Sequence, residues 1–367
     1  MKLYVIAGES SGDMHTANLL AELNLLNPII ETRGMGGNLM QKQGVHLIQH
    51  YNGLNVVGLA EVIKKLPTLL KVIRKIKQDI IAWKPDAILL TDYPAFNLRI
   101  AKFCKKINLP VYYYISPQIW AWKENRICDI RKYVNHMAVI LPFEPAFYKK
   151  HGIEVTFVGH PLIDIVNRFR NQENTKLTFS KPILAILPGS RRHEVKAMLP
   201  TMLQAANHFK DEFDIVIGGA PSLPTSFYTP FLINHPHVHW VQNQTYALLN
   251  SAYAAIVTSG TATLETALFN VPQLVCYKGN RLSYEVARRL IKIKYISLVN
   301  LILDKPCVDE LIQNQMNEQQ IQQSLQGILN QRREEMLNDY KHLKHILGIS
   351  GASMRAASSL HDWMNLL

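Results

Sequence analysis

Two short turns in the second half of the chain combine residue types that bind phosphate. An apolar run at 254–258 ends in Ser259, Gly260 and Thr261 and opens directly into a helix-compatible segment. Such a turn offers unpaired backbone N–H groups and the positive end of a helix dipole to an anion. Glu265 lies about one turn inside that helix, where its carboxylate can accept hydrogen bonds from both hydroxyls of a ribose. The stretch indicates a nucleotide or nucleotide-sugar site; the alternative is an ordinary strand-to-helix connection with a solvated glutamate.

The same design recurs around Gly189 and Ser190, which follow another apolar run and precede Arg191 and a helical segment. The arginine is suited to a charge-assisted contact with phosphate. The pair at 193–194 begins a HExxH zinc-protease signature, but Ala197 stands where the second histidine belongs, which excludes that class. The repetition favours the nucleotide interpretation of both turns.

Asp92, directly after the apolar run 87–91, is the candidate catalytic base of the first half. An acid at the carboxyl end of a buried strand can take a proton from a substrate hydroxyl. The alternative is an N-cap or Asx turn ahead of the next helix. Residue spacing leaves both open.

The turn at 8–12, Gly-Glu-Ser-Ser-Gly, formally matches the nucleophile elbow of acyl hydrolases. It follows the first strand of the chain, whereas that elbow belongs to a strand deep inside a sheet. It is neither a P-loop nor a dinucleotide fingerprint. We therefore interpret Gly8, Ser10 and Ser11 as a strand-to-helix turn that a sugar or phosphate can approach closely.

Two further stretches have both a functional and a structural interpretation. Five aromatic residues lie within 112–122, where Ser116 and Gln118 are placed to line a sugar or acyl pocket or to pack in a loop. The histidines within 235–239 have a metal-like spacing, but a hydrated edge strand is the favoured interpretation.

The segment 59–83 has apolar residues at helical spacing, interleaved with lysine and arginine. Pro67 is expected to open a second helix there. One interpretation of the segment is an amphipathic helix that packs on the sheet and leaves its basic face in solvent. The other is a helix that contacts anionic lipid, because its apolar face is wider than one stripe. The predicted membrane-facing residues are Val56, Val57, Leu59, Val62, Leu66, Leu69 and Val72.

The elements that must position these residues alternate between strands and helices in both halves. This alternation predicts an α/β fold of two Rossmann-like, doubly wound domains that face a central cleft. The polar run 168–181 marks the join, so we predict a first domain at 1–165, a second at 166–350, and a C-terminal helix at 351–367 that packs on the first. The predicted strands are 3–7, 87–91, 111–115, 137–141, 182–187, 213–217, 238–241, 254–258 and 273–277.

Composition limits the class of protein. The chain has 367 residues, of which 48% are hydrophobic and 19% charged, as in a folded protein with more than one domain. Its four cysteines form no CxxC pair, which argues against a zinc site or a disulfide framework and indicates a reducing compartment. The net charge of +12 indicates an anionic partner, either nucleic acid, a membrane or a phosphorylated substrate. No uncharged apolar stretch of about 18 residues occurs, so no transmembrane helix is expected.

The ordered set of motifs is similar to one known family. The matching stretches are 7–13, 56–62, 116–122, 141–144, 158–160, 187–191, 259–265 and 295–300. The chain resembles the lipid-A-disaccharide synthases, which are inverting glycosyltransferases of the two-domain GT-B architecture. Single motifs are shared with other GT-B proteins, whereas the full set is specific.

The resemblance implies a reaction and a set of residues. A 2,3-diacylglucosamine unit would pass from its UDP donor to 2,3-diacylglucosamine 1-phosphate, forming a β-1,6-linked disaccharide 1-phosphate and UDP, with no metal or other cofactor. Asp92 would be the general base for the acceptor 6-hydroxyl, and Ser11 would lie near the reacting centre. The implied substrate contacts are Gly8, Ser10, Gln118, Ser190, Arg191, Gly260, Thr261, Glu265 and Asn300.

The resemblance also implies a location and an assembly. The protein would lie on the cytoplasmic face of the inner membrane, with C-terminal helices that cross back to the first domain and in some members exchange between two subunits. The family often has a second acid three positions after the first, where this chain has Ala95. Two alternatives remain: a GT-B UDP-N-acetylglucosamine epimerase, and a nucleic-acid-binding protein. The second is disfavoured because the basic residues follow an apolar helix.

Overall fold

The chain divides into two units, each built on its own parallel sheet. The computed structural model describes residues 1–52, 59–122, 124–172, 176–280, 284–285 and 293–367, leaving the side chains of 59–65 and 122 aside. The first unit comprises Met1–Pro161 together with Ile349–Leu367, and the second is Leu162–Gly348. The substrate roles assigned to the two domains stay predictions.

The sheet of the first unit has seven parallel strands in the order β3-β2-β1-β4-β5-β6-β7. The central strands are continuous apolar runs because helices cover both faces of a parallel sheet. The strands are β1 (Lys2–Ala7), β2 (Glu31–Gly36), β3 (His46–His50), β4 (Ala87–Thr91), β5 (Val111–Tyr114), β6 (His136–Val139) and β7 (Thr156–Phe157).

Seven helices of the described residues follow these strands, and α3 is unbroken. Pro67 lies inside this helix, so the prediction of a second helix there was wrong. Ile73, Ile76 and Ile80 are buried against the sheet, and this packing outweighs the one hydrogen bond that proline removes. The helices are α1 (Ser10–Leu26), α2 (Asn38–Lys42), α3 (Leu59–Trp83), α4 (Pro94–Lys106), α5 (Ile119–Trp122), α6 (Ile127–Tyr133) and α7 (Glu144–Lys150).

The predicted membrane-facing residues of α3 fall into different environments. Val72 is only 7% exposed and belongs to the core, so its assignment to a membrane patch was wrong. Leu69 is partly buried against the same core, and Leu66 is 39% exposed. Val56 and Val57 lie outside the described residues, as do the side chains of Leu59 and Val62.

The second unit has six parallel strands in the order β10-β9-β8-β11-β12-β13. They are β8 (Ile183–Leu187), β9 (Asp214–Gly219), β10 (His239–Gln242), β11 (Ala252–Thr258), β12 (Gln273–Tyr277) and β13 (Glu310–Ile312). Its helices are α8 (Leu162–Arg170), α9 (Arg192–Ala206), α10 (Thr225–Leu232), α11 (Thr245–Ser251), α12 (Thr261–Leu268), α13 (Leu298–Leu303), α14 (Glu318–Leu329) and α15 (Arg333–Ile346).

The last helix, α16 (Ala352–Met364), returns to the first unit as predicted. It packs against α1. The Ser359 hydroxyl accepts a hydrogen bond of 2.9 Å from the Tyr112 hydroxyl on β5. Arg355 Nε donates to the Val158 carbonyl at 2.9 Å. Across the part of the chain that the structure describes, no helix has the length and apolar character needed to span a membrane.

Candidate active site

Asp92 and Tyr93 form a strained turn at the carboxyl end of β4. Their φ angles are 44° and 46°, a left-handed conformation that is uncommon outside glycine. Asn97 Nδ2 donates to the carbonyls of Thr91 and Asp92 at 3.0 and 2.7 Å, and the Tyr113 hydroxyl donates to the Asp92 carbonyl at 2.5 Å. Strain of this kind persists only where the surrounding structure holds it, and it clusters at functional sites.

The carboxyl group of Asp92 is suited to proton transfer near neutral pH. The pKa of Asp92 is raised to about 7, mainly by burial and also by the negative charges of Glu9 and Glu144, against the opposing effect of a backbone hydrogen bond. A general base is most effective when its pKa lies near the working pH. Helix α4 begins at Pro94 with Tyr93 as its N-cap, so Asp92 is not the N-cap residue.

The turn at Gly8 lies directly beside the Asp92 turn. Ala7 and Thr91 are paired at the ends of β1 and β4. A Cβ atom on Gly8 would lie 2.1 Å from Cδ1 of Tyr93, so any larger residue there has to displace the Tyr93 ring. Ser10 and Ser11, the first residues of α1, are exposed in the same turn.

A buried carboxylate, Glu144, is the first residue of α7, the helix that follows β6. It is 1% exposed and accepts hydrogen bonds from the Ser116 hydroxyl and from the Leu141 amide at 2.9 Å. Burial raises the pKa of Glu144. Gln118, two residues beyond Ser116, is exposed. Sequence reasoning quoted Glu144 only as part of a motif and assigned it no role, because its contact with Ser116 joins two separate segments of the chain.

The second unit contains a pocket of about 350 Å³ at the carboxyl ends of β8, β9 and β11. Both predicted phosphate turns line it, together with Gly218 and Thr245. The predicted substrate-binding residues that it brings together are Ser190, Arg191, Gly260, Thr261 and Glu265.

The turn before α9 is occupied by a carboxylate of the chain itself. Glu194 Oε2 accepts hydrogen bonds from the amides of Ser190 and Arg191 at 3.1 and 3.2 Å, and its Oε1 accepts from Arg191 Nη1 at 2.9 Å. Gly189 has φ 106°, and a Cβ atom there would lie 2.7 Å from Glu194 Oε2. The turn therefore has the geometry of an anion site, and Glu194 holds Arg191 at the pocket.

Glu265 lies inside α12 with one carboxylate oxygen engaged. Oε1 accepts a hydrogen bond of 2.7 Å from the Tyr246 hydroxyl. Burial raises the pKa of Glu265, against the opposing effect of that hydrogen bond. A carboxylate fixed in this way keeps a defined orientation at the wall of the pocket.

Asn300 is a correction to the predicted substrate contacts. It is 1% exposed and does not line the pocket. Its Nδ2 donates to the Val308 carbonyl at 2.8 Å and to Glu310 Oε1 at 2.9 Å, and its Oδ1 accepts from the Val308 amide at 2.8 Å. These hydrogen bonds occupy the amide group of Asn300 and join α13 to β13. Asn300 therefore has a structural role.

Within the ranges that the structure describes, no group of histidine, cysteine, aspartate or glutamate is arranged to hold a metal ion. His239 begins β10, which is an edge strand of its sheet. This is the placement favoured from the sequence.

Comparison with known proteins decides the family. A profile of the lipid-A-disaccharide synthetases matches residues 3–362. The chain belongs to the lipid-A-disaccharide synthetase family. The lipid-A-disaccharide synthase of Syntrophus aciditrophicus (strain SB) is 40% identical over 364 residues, which is 96% of this chain and 95% of that protein. Lipid-A-disaccharide synthase 1 of Legionella pneumophila (strain Lens) is 37% identical over 373 residues, or 98% and 96% of the two chains. The function is that of a glycosyltransferase of lipid A biosynthesis, as the resemblance implied.

Solved structures of other proteins share the fold of this family member. UDP-GlcNAc 2-epimerase from Neisseria meningitidis, bound to UDP-GlcNAc, superposes with a TM-score of 0.67 at 14% identity over 99% of this chain and 100% of that one. The calicheamicin glycosyltransferase superposes with a TM-score of 0.65 at 14% identity over 99% and 98%. At these identities the likeness shows the fold alone, and it confirms the predicted GT-B architecture.

Proposed function

We propose that the protein transfers 2,3-diacylglucosamine from its UDP donor to the 6-hydroxyl of 2,3-diacylglucosamine 1-phosphate, with inversion at the anomeric carbon. The observation that carries the proposal is Asp92, a carboxyl group held in a strained turn with its pKa raised to about 7. Inversion in one displacement needs a single base at the attacking hydroxyl and stabilisation of the departing diphosphate. The family membership supports this class of reaction.

In the proposed step, the acceptor 6-oxygen forms a bond to the anomeric carbon of the donor. Its proton moves to the Asp92 carboxylate as that bond forms. The bond from the anomeric carbon to the β-phosphate oxygen breaks, and its electron pair leaves with UDP. Ser11 and the Gly8 turn beside Asp92 are the proposed acceptor neighbours, together with Ser10 and Gln118.

The pocket of the second unit is the proposed site of the UDP group. Arg191, Ser190 and the first turn of α12 would stabilise negative charge on the diphosphate, since backbone N–H groups at a helix start favour anions. Glu265 is the proposed partner of the ribose hydroxyls. The donor phosphates would take over the contacts that Glu194 now makes with the amides of the turn.

Membrane contact and assembly belong to the same proposal. Leu66 and Leu70 on α3 are 39% and 49% exposed, and they lie beside exposed basic residues, as an anionic lipid surface requires. We propose that the protein is peripheral on the cytoplasmic side of the inner membrane. A homodimer formed by exchange of the C-terminal helices stays a prediction.

A two-substrate transfer assay tests this function. Purified protein should release UDP and form a β-1,6-linked disaccharide only when both acylated sugars are present. UDP release without the acceptor would support a hydrolase or an epimerase-like reaction. An α-linked product would contradict inversion.

A further inference from the structure

We propose that a basic pocket between α4 and α6 of the first unit binds the 1-phosphate of the acceptor; this inference rests on the proposed function. The pocket has a volume of about 300 Å³. Its walls are formed by Pro94, Ala95, Leu98, Arg99, Lys102, Arg126, Asp129 and Tyr133.

The charge of this pocket favours a phosphate. Its lining includes three basic residues, Arg99, Lys102 and Arg126, and one acid, Asp129. Arg99 and Lys102 are exposed, and neither forms an ion pair with any residue in the described ranges. Guanidinium and ammonium groups converging on a concave surface are the usual phosphate ligands of proteins.

Helix geometry places these charges on one surface. Ala95, Leu98, Arg99 and Lys102 follow the three- and four-residue spacing that aligns side chains on one helix face. Helix α6 packs against α4, and Arg126, the residue before α6, also lines the pocket. Two chain segments thus contribute to one site.

The pocket lies at a suitable position relative to Asp92. Helix α4 starts two residues after Asp92, and Arg99 lies about 7.5 Å further along the helix axis. Burial raises the pKa of Tyr113 and the charge of Arg126 opposes that rise; the Tyr113 hydroxyl donates to the Asp92 carbonyl. The 6-hydroxymethyl group and the 1-phosphate are attached to the two carbons that flank the ring oxygen, so an acceptor with its hydroxyl at Asp92 holds its phosphate close to the base, near the first turns of α4.

A neighbouring groove fits the rest of the acceptor. Arg99 and Lys102 also form one wall of a groove of about 470 Å³ that includes Leu70, Ile73 and Phe103. Lysines at its rim and apolar side chains at its base suit an anionic lipid with an acyl chain. The two cavities share their cationic wall, as a ligand with both phosphate and acyl groups requires.

The test compares two acceptors that differ only in the 1-phosphate. The protein carrying Arg99→Gln and Lys102→Gln together is assayed in detergent micelles with 2,3-diacylglucosamine 1-phosphate and with 2,3-diacylglucosamine. The matched control removes two exposed lysines of the same unit outside both cavities, Lys105→Gln with Lys149→Gln. Thermal melting of each variant shows whether the fold is retained.

We expect the KM for the phosphorylated acceptor to rise by roughly 10- to 100-fold in the Arg99/Lys102 variant, because two charge-assisted contacts are lost. The KM for the donor, and kcat/KM for the phosphate-free acceptor, should stay at the wild-type values. The control variant should behave as wild type with both acceptors.

Two results would overturn the pocket assignment. One is an equal loss with both acceptors together with weaker binding to phosphatidylglycerol vesicles, which would assign these cations to membrane headgroups. The other is no change with either acceptor.

Direct titration of each acceptor onto the variants separates this inference from the proposed function. A wild type that binds the phosphorylated acceptor without transfer contradicts the function, while the difference in affinity between variants still decides the pocket.

Discussion

At the scale of single residues, the chemistry depends on where Asp92 obtains its raised pKa. Burial is the largest cause, and Glu9 and Glu144 add negative charge nearby. Asn97 and Tyr113 both donate to the backbone carbonyl of Asp92, so the turn that carries the carboxyl group is fixed. Preorganisation of this kind lets the base act without reorganising the site.

The pH dependence of turnover should reflect this group. The base must be deprotonated to accept a proton, so kcat/KM should fall as pH decreases through about 7 and reach a plateau above it. In Glu9→Gln the midpoint should move to lower pH, because a negative charge that raises the pKa of Asp92 is removed. A steady-state pH profile of both proteins measures this. Identical midpoints would show that Glu9 does not act on the base.

Sequence reasoning identified candidate residues that are adjacent along the chain and missed a contact that only the fold creates. Ser190, Arg191, Gly260 and Thr261 belong to turns whose residues are adjacent along the chain, and the structure brings both turns to one pocket. Glu144 and Ser116, by contrast, lie 28 residues apart, after β6 and after β5. Their proximity depends on the strand order of the sheet, which no local pattern contains.

At the scale of elements, the turns after β1 and β4 are in contact with each other. The contact between Gly8 and the ring of Tyr93 couples the turn that carries Ser10 and Ser11 to the turn that carries Asp92.

Replacing Gly8 should therefore disturb catalysis more than folding. In Gly8→Ala the new methyl group would displace the Tyr93 ring, and kcat should fall by roughly 10-fold or more, since small displacements of a catalytic group are costly. The KM for the donor should not change. Gly152→Ala is the matched control: it places a methyl group in open space at φ 67° and should cost only about 1 kcal/mol of stability. Equal kcat for both variants would contradict the coupling.

Replacing Asn300 should affect stability more than substrate binding. Removal of the buried amide in Asn300→Ala takes away the hydrogen-bond partner of the Val308 backbone groups and one of the donors to Glu310, which should cost about 1–3 kcal/mol of unfolding free energy. UDP affinity, measured by titration well below the melting temperature, should stay close to wild type. A large loss of affinity in a fully folded variant would restore Asn300 as a nucleotide contact.

Element boundaries were predictable where the apolar runs were strong. Ala87–Thr91 and Gln273–Tyr277 were predicted residue for residue. Glu31–Gly36 was missed because its Glu-Thr-Arg-Gly-Met-Gly sequence lacks a β-forming run. It is a strand because it pairs with β1, with Lys2 opposite Glu31. Pairing of this kind is a tertiary effect that propensity does not contain.

At the scale of the whole molecule, each unit supplies a different part of the proposed reaction. The first has the candidate base, the basic pocket and the exposed apolar residues of α3. The second has the pocket proposed for UDP. The net charge of +12 suits phosphorylated substrates and an anionic lipid surface alike.

Membrane contact through α3 can be tested without substrate. Leu66→Asn with Leu70→Asn should weaken binding to phosphatidylglycerol vesicles, because the side chains that would enter the interface are lost. Leu25→Asn with Ile29→Asn removes apolar residues that are 77% and 81% exposed elsewhere in the same unit and serves as the control. Vesicle sedimentation measures both. Equal binding by the two variants would contradict a membrane-contacting role for α3.

The most direct test of the account is the turnover of Asp92→Asn measured beside its affinity for UDP. Asparagine keeps the shape of the side chain but cannot accept the proton. We expect disaccharide formation to fall by roughly 10²- to 10⁴-fold, the usual contribution of general base catalysis, with UDP affinity and thermal melting retained. Turnover close to wild type in this variant would contradict the assignment of Asp92 as the base.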